Sequence, residues 1–198
     1  MMMKIALDVD GVLADIIHVW LEEYNKTNNR TLKKQEISQW DFWKGFGYDR
    51  YRFYEELSRC WSRWEEVPVM EQSIASSVEK LNSAGTVDIV TARDAASAEF
   101  VKQWLKHNEI MYSRYVPVMR GRDKADLSYD VFIDDSPLNA VSIASKGKRV
   151  LLYDQPWNRS VNHSKVVRIK RLEEAVDVIS GLPGKFGKQY GMDGFLDV

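Results

Sequence analysis

Asp8 and Asp10 stand two residues apart at the end of the strand-like run KIALDV (4–9), and Gly11 follows them at once. Carboxylates beside a buried strand need something to compensate them. Three more polar clusters come later in the chain: Thr91-Ala92-Arg93, Lys124 within GRDKAD, and Asp134-Asp135 ahead of Ser136-Pro137. Four carboxylates gathered without compensation would repel, and some would take up protons. A divalent cation resolves that conflict, and hard oxygen ligands with no His or Cys beside them indicate Mg²⁺. The chemistry this set can do is phosphoryl transfer. An aspartate attacks phosphorus to form an aspartyl-phosphate, and a second carboxylate two residues on protonates the leaving alcohol and later activates water. Mg²⁺, Lys124, the Thr91 hydroxyl and backbone N–H groups balance the charge of the transferring group. Gly11 lets the chain turn tightly beside it.

For that, one edge of a sheet must gather the clusters. Apolar spacing of three and four from Leu13 to Tyr24 predicts a helix, ended by the turn residues NKTNNRT (25–31). A further helix is expected from Met70, stopping at Ala84-Gly85 with Gly85 as its C-cap. Then strands at 86–91, 114–119, 129–134, 148–154 and 165–170 alternate with helices at Ala98–Leu105, about 137–145 and roughly 171–180. Such alternation predicts a Rossmann-like parallel α/β sheet sandwiched by helices. Open parallel sheets bind ligands at the carboxyl ends of their strands, where these clusters fall.

Residues 16–69 carry no strand pattern and interrupt the alternation. They read as a helical insertion into an α/β unit made of 1–15 and 70–180. Ten of the 25 positions from 40 to 64 are aromatic, against 23 in the whole chain, so this stretch is a separate unit of short helices. Most of those rings are expected to be packing. Phe42, Trp43 and Trp64 are the candidates to face the cleft and stack on a nucleobase. The tail 181–198 has five glycines in 18 residues and is expected to be flexible.

Bulk composition sets broad limits. A net charge of −1 gives no global attraction to nucleic acid or membrane, so a polymeric nucleic-acid partner is not expected. One cysteine, Cys60, forbids an internal disulfide. No apolar run approaches the roughly 18 residues of a membrane span, and the N-terminus lacks a signal-peptide layout. The expected setting is cytoplasmic. A homodimer through exposed aromatics of the insertion is a further expectation.

DVDGVLAD, TAR, the lysine of RDKAD and IDDSP, in that order, resemble the four motifs of the haloacid dehalogenase-like phosphatase superfamily. Within it the chain is most similar to the 5′(3′)-deoxyribonucleotidase-like group, through DVDGVLAD, the insertion after it, Phe42-Trp43, RDK, IDD and LLYDQPWN (151–158). The resemblance implies Asp8 as nucleophile and Asp10 as acid/base. It implies Mg²⁺ held by the side chains of Asp8 and Asp135 and the backbone carbonyl of Asp10, with Asp134 supporting Lys124 or a metal-bound water. Thr91, the Ala92 backbone and Lys124 would bind phosphate. Arg93 stands where many relatives have another residue, and it is the candidate for additional phosphate or sugar contact. The activity implied is Mg²⁺-dependent hydrolysis of nucleoside monophosphates. The alternatives are another small phosphomonoester such as a sugar phosphate, a nucleic-acid 3′-phosphate, or a phosphate-binding relative without turnover.

Overall fold

A computed structural model describes residues 2–181. The tail expected from 181 onward therefore lies, past its first residue, outside the described residues. Six parallel strands form one sheet: β1 (Met3–Leu7), β2 (Gly85–Thr91), β3 (Tyr115–Pro117), β4 (Val131–Asp134), β5 (Arg149–Tyr153) and β6 (Val166–Ile169). Their spatial order is β3-β2-β1-β4-β5-β6. The chain builds outward from β1 in one direction and then returns to build outward in the other, so the order reverses between β1 and β4. Crevices at such a reversal, beyond the carboxyl ends of the strands, are where open α/β sheets take ligands.

Both faces of the sheet are covered, as parallel strands require. On one face Ile5, Leu7, Val87, Ile89, Ile133 and Leu151 pack against α3 (Ile74–Ala84), α4 (Ala95–His107) and α6 (Leu172–Ser180). On the other, Ala6, Val90, Phe132, Val150 and Leu152 meet α5 (Pro137–Ser145). The alternation of side chains along each strand sorts these two sets.

Between β1 and α3 lie α1 (Ile16–Asn28), α2 (Arg50–Trp61) and three short 3₁₀ turns. Asp15 caps α1 by accepting from the His18 N–H at 3.3 Å, so this helix begins at Ile16 and Leu13 belongs to the turn before it. The aromatic residues here are mostly spent on one another. Trp20 touches the rings of Tyr24, Phe42, Phe46, Tyr48 and Phe53. Of the ten in 40–64 only Tyr51 is exposed.

Gly85 caps α3 as expected, its N–H donating to the Leu81 carbonyl. It does so in extended backbone, as the first residue of β2, and not in the left-handed conformation. Glycine is required by close approach, because a Cβ there would lie 2.6 Å from the Met3 carbonyl oxygen.

Candidate active site

β1 pairs with β4 in register Leu7↔Ile133, and the Asp8 N–H continues the ladder to the Ile133 carbonyl at 3.0 Å. One residue further on, Asp8 and Asp134 are therefore level on adjacent strands. Gly11 turns the chain away with φ +75°, and a Cβ at this position would collide with the Asp135 carboxylate. The sharp turn and the acidic pair of β4 thus occupy one small space.

Lys124 is buried and bridges two of the carboxylates, with Nζ 2.9 Å from Asp8 Oδ2 and 2.7 Å from Asp134 Oδ2. Burial alone would lower its ammonium; the charges and hydrogen bonds of Asp134 and Asp8 outweigh that and raise it. Asp134 is saturated with donors. Beyond Lys124 it accepts from the Ser136 N–H at 2.9 Å and from Asn139 Nδ2 at 3.2 Å. Its role in the structure is to hold the lysine and the start of α5.

Asp8, Asp134 and Asp135 each bring a carboxylate oxygen within 4.8 Å of the others, all three buried. Desolvation pushes Asp8 up to about 7; Lys124 pulls it down while Asp134 and Asp10 push further up. Asp135 is raised well above the ordinary carboxylate range by burial, then by Asp134 and Asp8. The strand ends bear four carboxylates, with Asp10 included, against the two cations Lys124 and Arg93. That surplus of two negative charges among oxygen donors fits a divalent cation. Asp8 and Asp135 are the residues that would hold it, since Asp134 is already satisfied.

Asp10 is set apart from this cluster. Its Oδ2 meets Arg93 Nε at 2.5 Å, and its Oδ1 accepts from Trp61 Nε1 at 3.0 Å. Thr91 is buried at the end of β2 and accepts the Arg93 N–H on Oγ1 at 3.2 Å. Ala92 is exposed between them. Asp94 then caps α4 through the Ser97 N–H and takes a hydrogen bond from Ser58 of α2. The inserted segment is in this way tied to the loop after β2.

The structure gathers Asp8, Lys124, Asp134 and Asp135 in one cluster and pairs Asp10 separately with Arg93, to which Thr91 is attached. It does not bring Trp64 to them. The Trp64 ring packs on His107, the last residue of α4, whose other end starts beside Arg93. A 13-residue helix is about 20 Å long, so Trp64 is displaced from the cleft by that length. Phe42 and Trp43 lie inside the aromatic cluster. Trp43 is buried and stacked on Phe53 at 4.5 Å, and its Nε1 has no acceptor. Tyr54 joins this cluster to Arg93, with the Arg93 guanidinium 5.7 Å from its centroid and the Trp43 ring 5.8 Å away.

Sequence reasoning missed three further supports. Trp157 Nε1 donates to Asp135 Oδ2 at 3.0 Å, and Asn158 Nδ2 donates to the Asp135 carbonyl at 2.8 Å. Gln155 Nε2 donates to the Gly11 carbonyl at 2.7 Å. All three fall in the QPWN segment, which stood out only as part of a resemblance. Trp61 was counted among packing aromatics, and nothing local to α2 signals that its N–H faces Asp10.

Comparison with known proteins decides the family. Residues 1–185 match the family described as 5′ nucleotidase, deoxy (pyrimidine), cytosolic type C protein. The chain belongs to this family. The chain is similar to a 5′(3′)-deoxyribonucleotidase of Bacillus subtilis, 27% identical over 174 residues that cover 86% of this chain and 94% of the relative. It is also similar to a nucleotidase of Clostridium acetobutylicum, 22% identical over 91% of this chain and 95% of that one. Among solved structures, a conserved haloacid dehalogenase-like protein of unknown function from Agrobacterium tumefaciens superposes with a TM-score of 0.62. That match covers 91% of this chain and 98% of the other at 13% identity, and it shows the fold alone. The chain is a phosphomonoester hydrolase with a haloacid dehalogenase-like α/β fold. Among the described residues no helix is long and apolar enough to cross a membrane.

Proposed function

We propose that this chain hydrolyses nucleoside monophosphates, deoxyribonucleotides foremost, by Mg²⁺-dependent phosphoryl transfer through an aspartyl-phosphate on Asp8. The observation that carries the reading is the separation of two carboxylates that share one turn. Asp8 lies in the Lys124–Asp134–Asp135 cluster, whereas Asp10 is held apart by Arg93 and Trp61. One is placed to attack and the other to move a proton.

In the first half-reaction an Asp8 carboxylate oxygen attacks phosphorus and the bond to the ester oxygen breaks. Asp10 gives that oxygen a proton, so the product leaves as an alcohol. In the second, Asp10 takes a proton from water as the water attacks the phosphoryl group, and Asp8 is regenerated with release of phosphate. Lys124 and the N–H groups of the Thr91–Arg93 loop receive the non-bridging oxygens. Asp8, Asp135 and the Asp10 carbonyl would hold Mg²⁺, which would supply the positive charge that a phosphate dianion needs in a site rich in carboxylates. Arg93, freed from Asp10 by an incoming phosphate, is the additional cation for it. The inserted segment 16–69 acts as a cap, and the base is received at the Trp43–Tyr54 end of its aromatic cluster.

The test is phosphate release, with Mg²⁺ and with EDTA, across ribo- and deoxyribonucleoside 5′- and 3′-monophosphates, sugar phosphates and a 3′-phosphorylated oligonucleotide. The expected result is metal-dependent turnover led by deoxyribonucleotides. Turnover confined to sugar phosphates would overturn the nucleotide assignment and leave the aspartate chemistry standing.

A further inference from the structure

We infer that Trp61, a residue of the inserted segment, positions Asp10 for protonation of the leaving group. The inference rests on the proposed aspartate chemistry and adds a residue to it.

Trp61 ends α2 and is fully buried. Its ring stands edge-on to Trp104 of α4 at 6.0 Å, and Trp104 is itself pinned through Nε1 to the Val67 carbonyl at 2.7 Å. The indole thus has a fixed place between the insertion and α4. A buried indole N–H needs an acceptor, and here that acceptor is Asp10 Oδ1 at 3.0 Å. The other oxygen of Asp10 is held by Arg93. Neither tie comes from the loop that carries Asp10. When a substrate phosphate draws Arg93 away, the Trp61 bond on Oδ1 is the one left to orient the carboxyl group. Oδ2 is then the oxygen free to serve the leaving group. Proton transfer needs the two heavy atoms within about 3 Å, and a misplacement of about 1 Å costs on the order of 100-fold in rate. Trp61 touches Asp10 and no reacting atom, so it is a positioning residue.

A purely packing role makes a different prediction. Aryl phosphates expel a stable phenolate and need little proton donation, while nucleoside and other alkyl phosphates expel a poor alkoxide. The ratio kcat/KM reports steps up to cleavage of the phosphorus–ester bond, so it isolates the donation step. Removing the indole N–H in Trp61→Phe should lower kcat/KM for a nucleoside 5′-monophosphate by about 10- to 100-fold. For p-nitrophenyl phosphate the same variant should change it by less than about threefold, because the positioned acid contributes little there. Asp10→Asn should show the same selectivity, more strongly. In Trp61→His the ring Nε2 overlies the indole Nε1 while the benzo ring is lost. This variant should melt lower than Trp61→Phe yet recover much of the alkyl-ester rate. Trp104→Phe, which disturbs the same packing and keeps the Trp61 N–H, should lower both esters together.

Equal losses on both esters in Trp61→Phe, tracking the fall in Tm, would overturn the inference and leave the proposed function intact. If Trp61→Phe fails to fold, 3-benzothienylalanine at position 61 keeps the shape of the indole and lacks its N–H, and equal losses on both esters there overturn the inference in the same way. If the wild type cleaves p-nitrophenyl phosphate but no nucleotide, the nucleotide assignment fails. The same comparison run with glycerol phosphate then still decides the role of Trp61. A wild type that turns over no ester overturns both.

Discussion

Lys124 governs the charge balance of the site. Among the described residues it is the one cation paired with the buried trio Asp8, Asp134 and Asp135, touching the first two directly. Replacing it by methionine keeps the side-chain length and strands both partners. Breaking a buried ion pair from one side costs about 3–5 kcal/mol, so Lys124→Met should lower the urea midpoint by a corresponding amount. Mg²⁺ should restore part of it, since the ion supplies charge to the same carboxylates, while turnover stays lost. An unchanged midpoint would show that Asp8 and Asp134 do not depend on the lysine. At this scale the strand-end positions of Asp8, Asp10, Thr91, Asp134 and Asp135 were legible from residue type and pattern, whereas Lys124 lies in a 3₁₀ turn ahead of β4 and was marked only by its place in the motif order. The sequence misled for Trp64, because an aromatic residue near the end of a helix reads the same whether it faces a cleft or a neighbouring helix. Trp61 and Trp157 were illegible for another reason: their acceptors lie 51 and 22 residues away.

Two elements hold the site from behind. The segment after β5 carries Trp157 and Asn158 onto Asp135, and Arg168 of β6 clamps that segment. Its Nη1 meets Asp154 Oδ1 and Asn158 Oδ1, each at 2.7 Å, and its Nη2 meets the Asn158 carbonyl at 3.1 Å. Partners one shell out from a metal ligand are worth about 10–100-fold in metal affinity. Arg168→Met should therefore weaken Mg²⁺ binding about tenfold by calorimetric titration, with little change in helix content. Unaltered affinity would show that the clamp serves only the loop.

The second element is β2, whose buried Asp88 accepts from Arg114 and from Tyr129. Burial alone would raise Asp88; hydrogen bonds from Arg114 and Tyr129 outweigh it and hold the carboxyl below its usual range. A depressed folded value contributes stability that is present above the unfolded value and lost as pH falls through the folded one. The gap between wild type and Asp88→Asn should be about 1.5–3 kcal/mol at neutral pH, as for hydrogen bonds to a charged group. It should close as pH drops below about 4, and a gap independent of pH would contradict this account. The alternation of strands and helices was legible because each β-strand is a short apolar run bounded by turns. The strand ends were not, since β3 and β4 are each shorter than the apolar stretches that announce them.

For the molecule as a whole, the reversal of strand order between β1 and β4 places Asp8 and Asp10 opposite Asp134 and Asp135. An apolar sequence pattern fixes the strands but not their order, so the reversal itself became visible only in the fold. The expectation of a ligand site at the strand ends needed no more than parallel strands. Binding of a divalent cation to this acidic edge should stabilise the folded chain by RT ln(1 + [Mg²⁺]/Kd), about 2.7 kcal/mol at 100 times Kd. A thermal melt with Mg²⁺ and with EDTA reads that shift directly, and identical melting temperatures would argue against a resident cation.

The most direct test of the central claim is to follow the phosphoryl group itself. The protein would be mixed with a nucleoside monophosphate and Mg²⁺, quenched in acid within the first turnover, and digested for peptide mass analysis. The account predicts one added phosphoryl group on the peptide containing Asp8, and none in the Asp8→Asn variant. Turnover with Asp8 unmodified, or with the group on another residue, would contradict it.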